Sequence, residues 1–198
     1  MLDQLQARSP LGTTVDQPAR ARGSSSDVRL DERRIESAFA IRFNASDPVA
    51  ASAVSHTTGL PLNGTARVVT AKGTTALALG PGEWLVLPVA GSQVATALAQ
   101  SGGMPCALID TSDAWAGVRL SGRHAGYVLS KGCALDVRAH RFPPDSVAVT
   151  QLARIRAVIH HVDASPTYDI YVERSYAGYM WSWLEDAMGE FVDSGGRL

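Results

Sequence analysis

The chain has 198 residues, 45% hydrophobic and 19% charged, a balance that suits one substantial globular domain or two small ones sharing a core. A formal net charge of -1 gives no overall attraction to nucleic acid or to an anionic membrane, and no apolar run approaches the ~20 residues that span a bilayer. The opening MLDQLQARSPLGTTVDQ has no apolar stretch of the kind an export signal needs, and Cys106 and Cys133 form neither a disulfide framework nor a close metal-ligand pair, so a cytoplasmic protein is expected.

Residues 1–34 include QPARARGSSSDVRLDERR, rich in Arg, Ser and Gly, which buries too little apolar surface to offset its ordering entropy. This segment reads as a flexible N-terminal arm with one apolar anchor, Pro10-Leu11, a candidate contact with a partner. Regular patterning starts after it. AFAIRF alternates and predicts a half-buried strand, and DPVAASAVSHTTG predicts a helix with Asp47 as N-cap, Pro48 at the first helical position and Gly59 as the stop. TARVVTA and TALALG read as strands paired around Lys72-Gly73, GPGEWLVL as a turn and a further strand, SQVATALAQSGG as a helix capped by Ser92, and CALID as a closing strand.

The second half repeats that order, although only the first half closes with a further strand. AWAGVRL reads as a strand and RHAGYVLSKG as a short helix, with Gly122 allowing the turn into it and Gly132 ending it with positive φ. VAVTQLARIRAVIHHVD is long enough for one bent strand or a hairpin. TYDIYVE alternates, with Tyr168, Ile170 and Val172 opposite Asp169 and Tyr171. The last helix places Tyr176, Tyr179, Met180, Trp183, Leu184, Ala187 and Phe191 on one stripe, with Ser175 as its cap and Trp181 off the stripe. An off-stripe Trp suits an interface, so Trp181 joins Pro10 and Leu11 as a candidate contact residue. The pattern predicts an α+β fold of two related strand-helix-strands-helix units with antiparallel sheets, over residues 35–110 and 111–198, sharing one compact body.

Chemistry-bearing residues gather in LSGRHAGYVLSKGCALDV, yet glycines 122, 126 and 132 fit neither G-x-G-x-x-G nor a P-loop. Cys133 has Lys131 and His124 nearby in sequence but nothing that orients them, and the commoner role of such a cysteine is a small buried apolar group. His160 and His161 on a strand point to opposite faces and cannot chelate one metal as neighbours. Asp110, Ser112 and Asp113 in IDTSDAW suit an Asx-type turn better than an acid–base pair. No catalytic, cofactor-binding or metal-binding residue is assigned.

RSPL, LGPGEWLVL, the run from Asp110 to Asp136, FPPDSVAVTQLARIRAVIHHVD and YDIYVERSYAGYMWSWL together resemble the gamma subunit of heterotetrameric sarcosine oxidase, in order and over nearly the whole chain. The resemblance implies a complex that oxidatively demethylates sarcosine to glycine, releases hydrogen peroxide and passes the one-carbon unit to tetrahydrofolate. It implies alpha, beta and delta subunits as partners, the alpha subunit foremost, with FAD, FMN, NAD and tetrahydrofolate on those other subunits. It also implies the fold of the folate-binding domain of glycine-cleavage aminomethyltransferase. This chain is about half the length of a complete aminomethyltransferase, and no position matches that family's catalytic aspartate or pteridine-binding glutamate. The expectation is a non-catalytic structural subunit. The alternative is a stand-alone folate- or anion-binding protein using Arg123 and His124 at the start of the short helix, or, more remotely, a stand-alone transferase.

Overall fold

The computed structural model describes residues 9–12, 27–62, 67–89, 91–100 and 106–191. Its described residues fall into two units. The middle unit comprises Ile35–Trp115 and Asp145–Ala148, and the terminal unit comprises Met1–Arg34, Ala116–Pro144 and Val149–Leu198.

In the middle unit the strands β2 (Phe39–Arg42), β3 (Val68–Ala71), β4 (Thr74–Gly80), β5 (Glu83–Pro88) and β6 (Ala107–Asp110) form one antiparallel sheet in the order β3-β4-β5-β2-β6. Helices α1 (Pro48–Thr58) and α2 (Gln93–Gln100) pack on one face of it. The local signals act as expected. The Asp47 carboxylate accepts from the amides of Val49 (2.9 Å) and Ala50 (3.3 Å), which satisfies two of the free N–H groups at the helix start. Gly59 closes α1 in the left-handed conformation, and the Ser92 hydroxyl accepts from the Ala95 amide at 3.2 Å. The alternation in β2 places Phe39 and Ile41 in a core with Val54, Trp84, Val86, Val94 and Leu98.

The second sheet, whose strands belong to the terminal unit apart from Trp115 and the first residues of β8, holds β1 (Arg29–Glu32), β7 (Trp115–Ser121), β8 (Ser146–Leu152), β9 (Ile155–Asp163) and β10 (Thr167–Glu173), ordered β1-β7-β10-β9-β8, and the terminal unit adds α3 (Ala125–Ser130) and α4 (Ala177–Met188). The two sheets therefore share one topology: β8, β9, β10 and β7 correspond to β3, β4, β5 and β2. The last place, filled by β6 in the middle unit, is filled here by β1, which pairs antiparallel with β7 through Leu30↔Leu120 and Asp31↔Arg119. The repeated order of elements seen in the sequence is a real structural repeat, and the missing closing strand comes from upstream.

Four local expectations change. The strand β1 falls within the segment read as a flexible arm, because Val28 and Leu30 are fully buried despite the charges around them; residues 1–8 and 13–26 of that segment lie outside the described residues. Gly132 does not adopt positive φ; α3 ends at Lys131 in right-handed conformation, and Gly132 is needed for room, since a Cβ there would lie 2.5 Å from Cζ2 and Cη2 of Trp183. Ser175 does not cap α4: Arg174–Tyr176 form a 3-10 turn, and the helix begins after it without a side-chain cap. Finally, β10 is buried on both faces, so Asp169 and Tyr171 lie inside the protein.

Candidate functional site

The residues gathered in LSGRHAGYVLSKGCALDV are separated by their own packing. Gly122 turns the chain with φ 108°, and His124 follows with its amide donating to the Asp27 carbonyl at 3.0 Å. The His124 ring stacks on Phe191 at 4.5 Å, and Arg123 pairs with Asp27. Arg123 is thus paired within the unit, while the His124 ring is packed with its Nδ1 buried and without a hydrogen-bond partner. The Lys131 ammonium binds Glu190 at 2.6 Å and the carbonyl of Ala187, where it also complements the carbonyl end of α4. Cys133 is buried, as expected, and its Sγ accepts from the Leu135 amide at 3.4 Å.

The other candidates resolve the same way. Asp110 accepts from the Ser112 amide (2.9 Å) and hydroxyl (2.6 Å), the expected Asx turn, and these bonds hold its carboxyl below the usual carboxylate range. His160 and His161 lie on opposite faces of β9, opposite Asp169 and Tyr168 in register. The Nδ1 of His161 is 2.7 Å from the Phe142 carbonyl, to which its N–H donates, and the ring stacks on Tyr168 at 4.6 Å. Among the described residues no group of three or more His, Cys, Asp or Glu is placed to hold a metal.

The strongest electrostatic feature is one the sequence did not single out. Asp169, 4% exposed in its side chain, accepts from Arg119 Nε and Nη2 at 2.6 and 2.8 Å and from Arg33 Nε at 3.4 Å, with the Tyr171 hydroxyl also at 3.4 Å. This fork-shaped pairing across β7 and β10 raises the affinity of Arg119 for its proton, first through the hydrogen bonds it donates to Asp169. Burial pushes the Tyr171 phenol well above its ordinary range, assisted by the Asp169 charge. The cluster is fully used internally and holds strands together.

The helix layer of the terminal unit carries exposed aromatic residues. Tyr127 on α3 is 67% exposed and Tyr179 on α4 is 48% exposed, while Trp181 and Trp183 are half-buried. The stripe read from the sequence is narrower in the fold: Met180, Leu184 and Ala187 are buried, and Tyr176 and Tyr179 lie at its open edge. An open cleft of about 410 Å³ is lined by Ser130, Lys131, Cys133, Arg154, Tyr179 and Trp183. The Tyr179 hydroxyl donates to the Ala153 carbonyl at 2.9 Å. Pro10 and Leu11 sit half-buried in a turn in which the Leu11 amide donates to Ser9 Oγ at 2.9 Å, and the same Ser9 hydroxyl reaches Glu32 on β1. A surface of tyrosine, tryptophan and arginine is suited to contact.

Comparison with known proteins gives this surface a setting. Residues 42–190 match the model of the "Sarcosine oxidase, gamma subunit family". The sarcosine oxidase subunit gamma of Corynebacterium sp. (strain P-1) is 32% identical over 177 residues, covering 88% of this chain and 87% of that protein. That of Arthrobacter sp. is 34% identical over 144 residues, 72% and 70% of the two chains. In fold the chain is similar to a chain of heterotetrameric sarcosine oxidase from Corynebacterium sp. U-96 in complex with pyrrole 2-carboxylate, with TM-score 0.74, 24% identity and coverage of 88% and 90%. It is also similar to glycine cleavage system aminomethyltransferase T from Bartonella henselae, with TM-score 0.58 and 15% identity, where 85% of this chain covers 47% of that one. With a family model spanning most of its length and a relative 32% identical over 88% of it, the chain belongs to the sarcosine oxidase gamma subunit family.

Proposed function

We propose that this chain is a non-catalytic assembly subunit of a heterotetrameric sarcosine oxidase, with FAD, FMN, NAD and tetrahydrofolate bound by the other subunits. The observation that carries the reading is the family match over residues 42–190. The geometry supports it from the other side: the His124 ring stacks on Phe191, Lys131 pairs with Glu190, Cys133 accepts from the Leu135 amide, Asp110 closes a turn with Ser112, and His161 Nδ1 meets the Phe142 carbonyl. The fold shared with aminomethyltransferase then supplies a scaffold rather than an active site. Pro10, Leu11 and Trp181 stay in this proposal as contact residues, all three half-buried in the chain alone.

Co-expression of the remaining subunits with and without this chain tests the role. The expected result is loss of the assembled oxidase, or a large fall in its thermal stability, when the chain is omitted. Full assembly with normal stability and sarcosine turnover in its absence would overturn the reading.

A further inference from the structure

We propose that the cleft beside the β8–β9 turn receives a carboxylate side chain from another subunit of the oxidase, with Arg154 as its ion-pairing anchor. The proposal rests on the subunit reading above and adds the surface and the chemistry of the contact.

The turn itself is the first observation. Leu152 ends β8 and Ile155 opens β9, so Ala153 and Arg154 form a two-residue hairpin loop with φ of 49° and 73°. Such loops favour Asn-Gly, because a Cβ in the left-handed region crowds the backbone. Here both residues carry one. The strained turn persists because it is fastened on both sides: the Ala153 amide donates to the Gly132 carbonyl at 3.0 Å, and the Ala153 carbonyl accepts from the Tyr179 hydroxyl at 2.9 Å. Strain held by surrounding contacts points to a use for the residue so presented.

The second observation is what the turn presents. Arg154 is exposed, lines the cleft, and pairs with no carboxylate among the described residues. The other cation at the cleft, Lys131, is already committed to Glu190 and the Ala187 carbonyl. Arg154 is therefore the surplus positive charge, on a guanidinium that can take a carboxylate with two parallel hydrogen bonds. Trp183, its ring packed over Gly132, and Tyr179 supply flat walls for the methylene groups behind such a carboxylate.

The third observation favours a protein over a small free anion. Tyr176 and Tyr179 at the start of α4 and Tyr127 on α3 are exposed apolar groups of the same helix layer. A metabolite filling the cleft would leave that surface bare, whereas a subunit would cover it.

The test uses the full chain and the remaining oxidase subunits, with assembly affinity and the thermal midpoint of the chain measured in parallel. Arg154→Gly relieves the strain, so its midpoint should rise by about 2–4 °C, while assembly should weaken by roughly 30-fold or more. Arg154→Glu should abolish assembly, and Arg154→Lys should fall between it and wild type. If wild type assembles and Arg154→Gly assembles equally well, the cleft proposal fails while the subunit reading stands. If wild type does not assemble, the subunit reading fails. A fall in both midpoint and assembly for Arg154→Gly would make Arg154 a structural residue and overturn the proposal. Binding of free glutamate by the wild-type chain, with assembly insensitive to Arg154, would assign the cleft to a small molecule and overturn it as well.

Discussion

The two helix layers solve the same packing problem with different residues. In the middle unit α1 and α2 contain no Asp, Glu, Lys or Arg and no Phe, Tyr or Trp, yet Ala50, Val54, Val94 and Leu98 close the core over the sheet. In the terminal unit α3 and α4 close theirs with Ala125, Val128, Leu129, Met180, Leu184 and Ala187. They then carry Tyr127, Tyr179, Trp181 and Trp183 in addition, all open or only half covered. The helix layer of one unit closes without aromatic residues on its helices, whereas the other adds tyrosines and tryptophans that stay open or half covered at its surface. The difference separates residues that make the fold from residues that make contacts.

The largest effect that would break this division is in the buried charge cluster, assigned entirely to folding. Asp169→Ala leaves Arg119 and Arg33 without their carboxylate and should cost about 3 kcal/mol, the low end for a broken buried pair because both guanidinium groups are partly exposed. Urea denaturation measures it; a loss near zero would mean that the cluster is not structural. Next, Gly132→Ala forces Trp183 to move and should destabilise by about 1–3 kcal/mol. Gly178→Ala on α4, where an added methyl meets nothing, should stabilise by about 0.5 kcal/mol, so a thermal melt of the two variants separates steric from conformational effects.

The pH dependence follows from Tyr168 and Tyr171, both pushed up by burial. Above the ordinary tyrosine value of about 10 the unfolded chain releases phenolic protons that the folded chain retains, so stability falls as pH rises, by about 1.4 kcal/mol per unit for each tyrosine. Tyr171→Phe should remove its share of that slope in chemical denaturation across the alkaline range. The smallest effect expected is at Val49, 72% exposed on α1: Val49→Glu should change stability by less than about 0.5 kcal/mol and leave assembly unchanged in co-purification. Loss of assembly there would move recognition to the uncharged layer and reverse the comparison.

Much of the fold was legible because short-range signals controlled it. The Asp47 cap, the Ser92 cap and the Asp110–Ser112 turn each operate within a few residues. What could not be read depended on distant partners. Val28 and Leu30 look like isolated apolar residues among charges until β1 pairs with β7, and Asp169 looks solvent-facing by alternation until Arg119 arrives from β7 and Arg33 from just beyond β1. The β8–β9 turn was hidden for a different reason. Ala153-Arg154 carries no Gly or Asn to mark it, so the segment QLARIRA reads equally as one bent strand. The cleft beside that turn is made by residues far apart in sequence, Lys131, Arg154 and Trp183, which only the fold brings together.

The central claim, that this chain contributes contacts and no chemistry, is tested most directly by sarcosine turnover per assembled complex. The chain to use combines Asp110→Asn with His124→Gln, two acid–base candidates outside the proposed cleft. Asn keeps the Asx turn, so assembly should persist. The account predicts turnover per assembled complex equal to wild type. A substantial fall in that turnover with assembly intact would contradict it and place catalytic work in this chain.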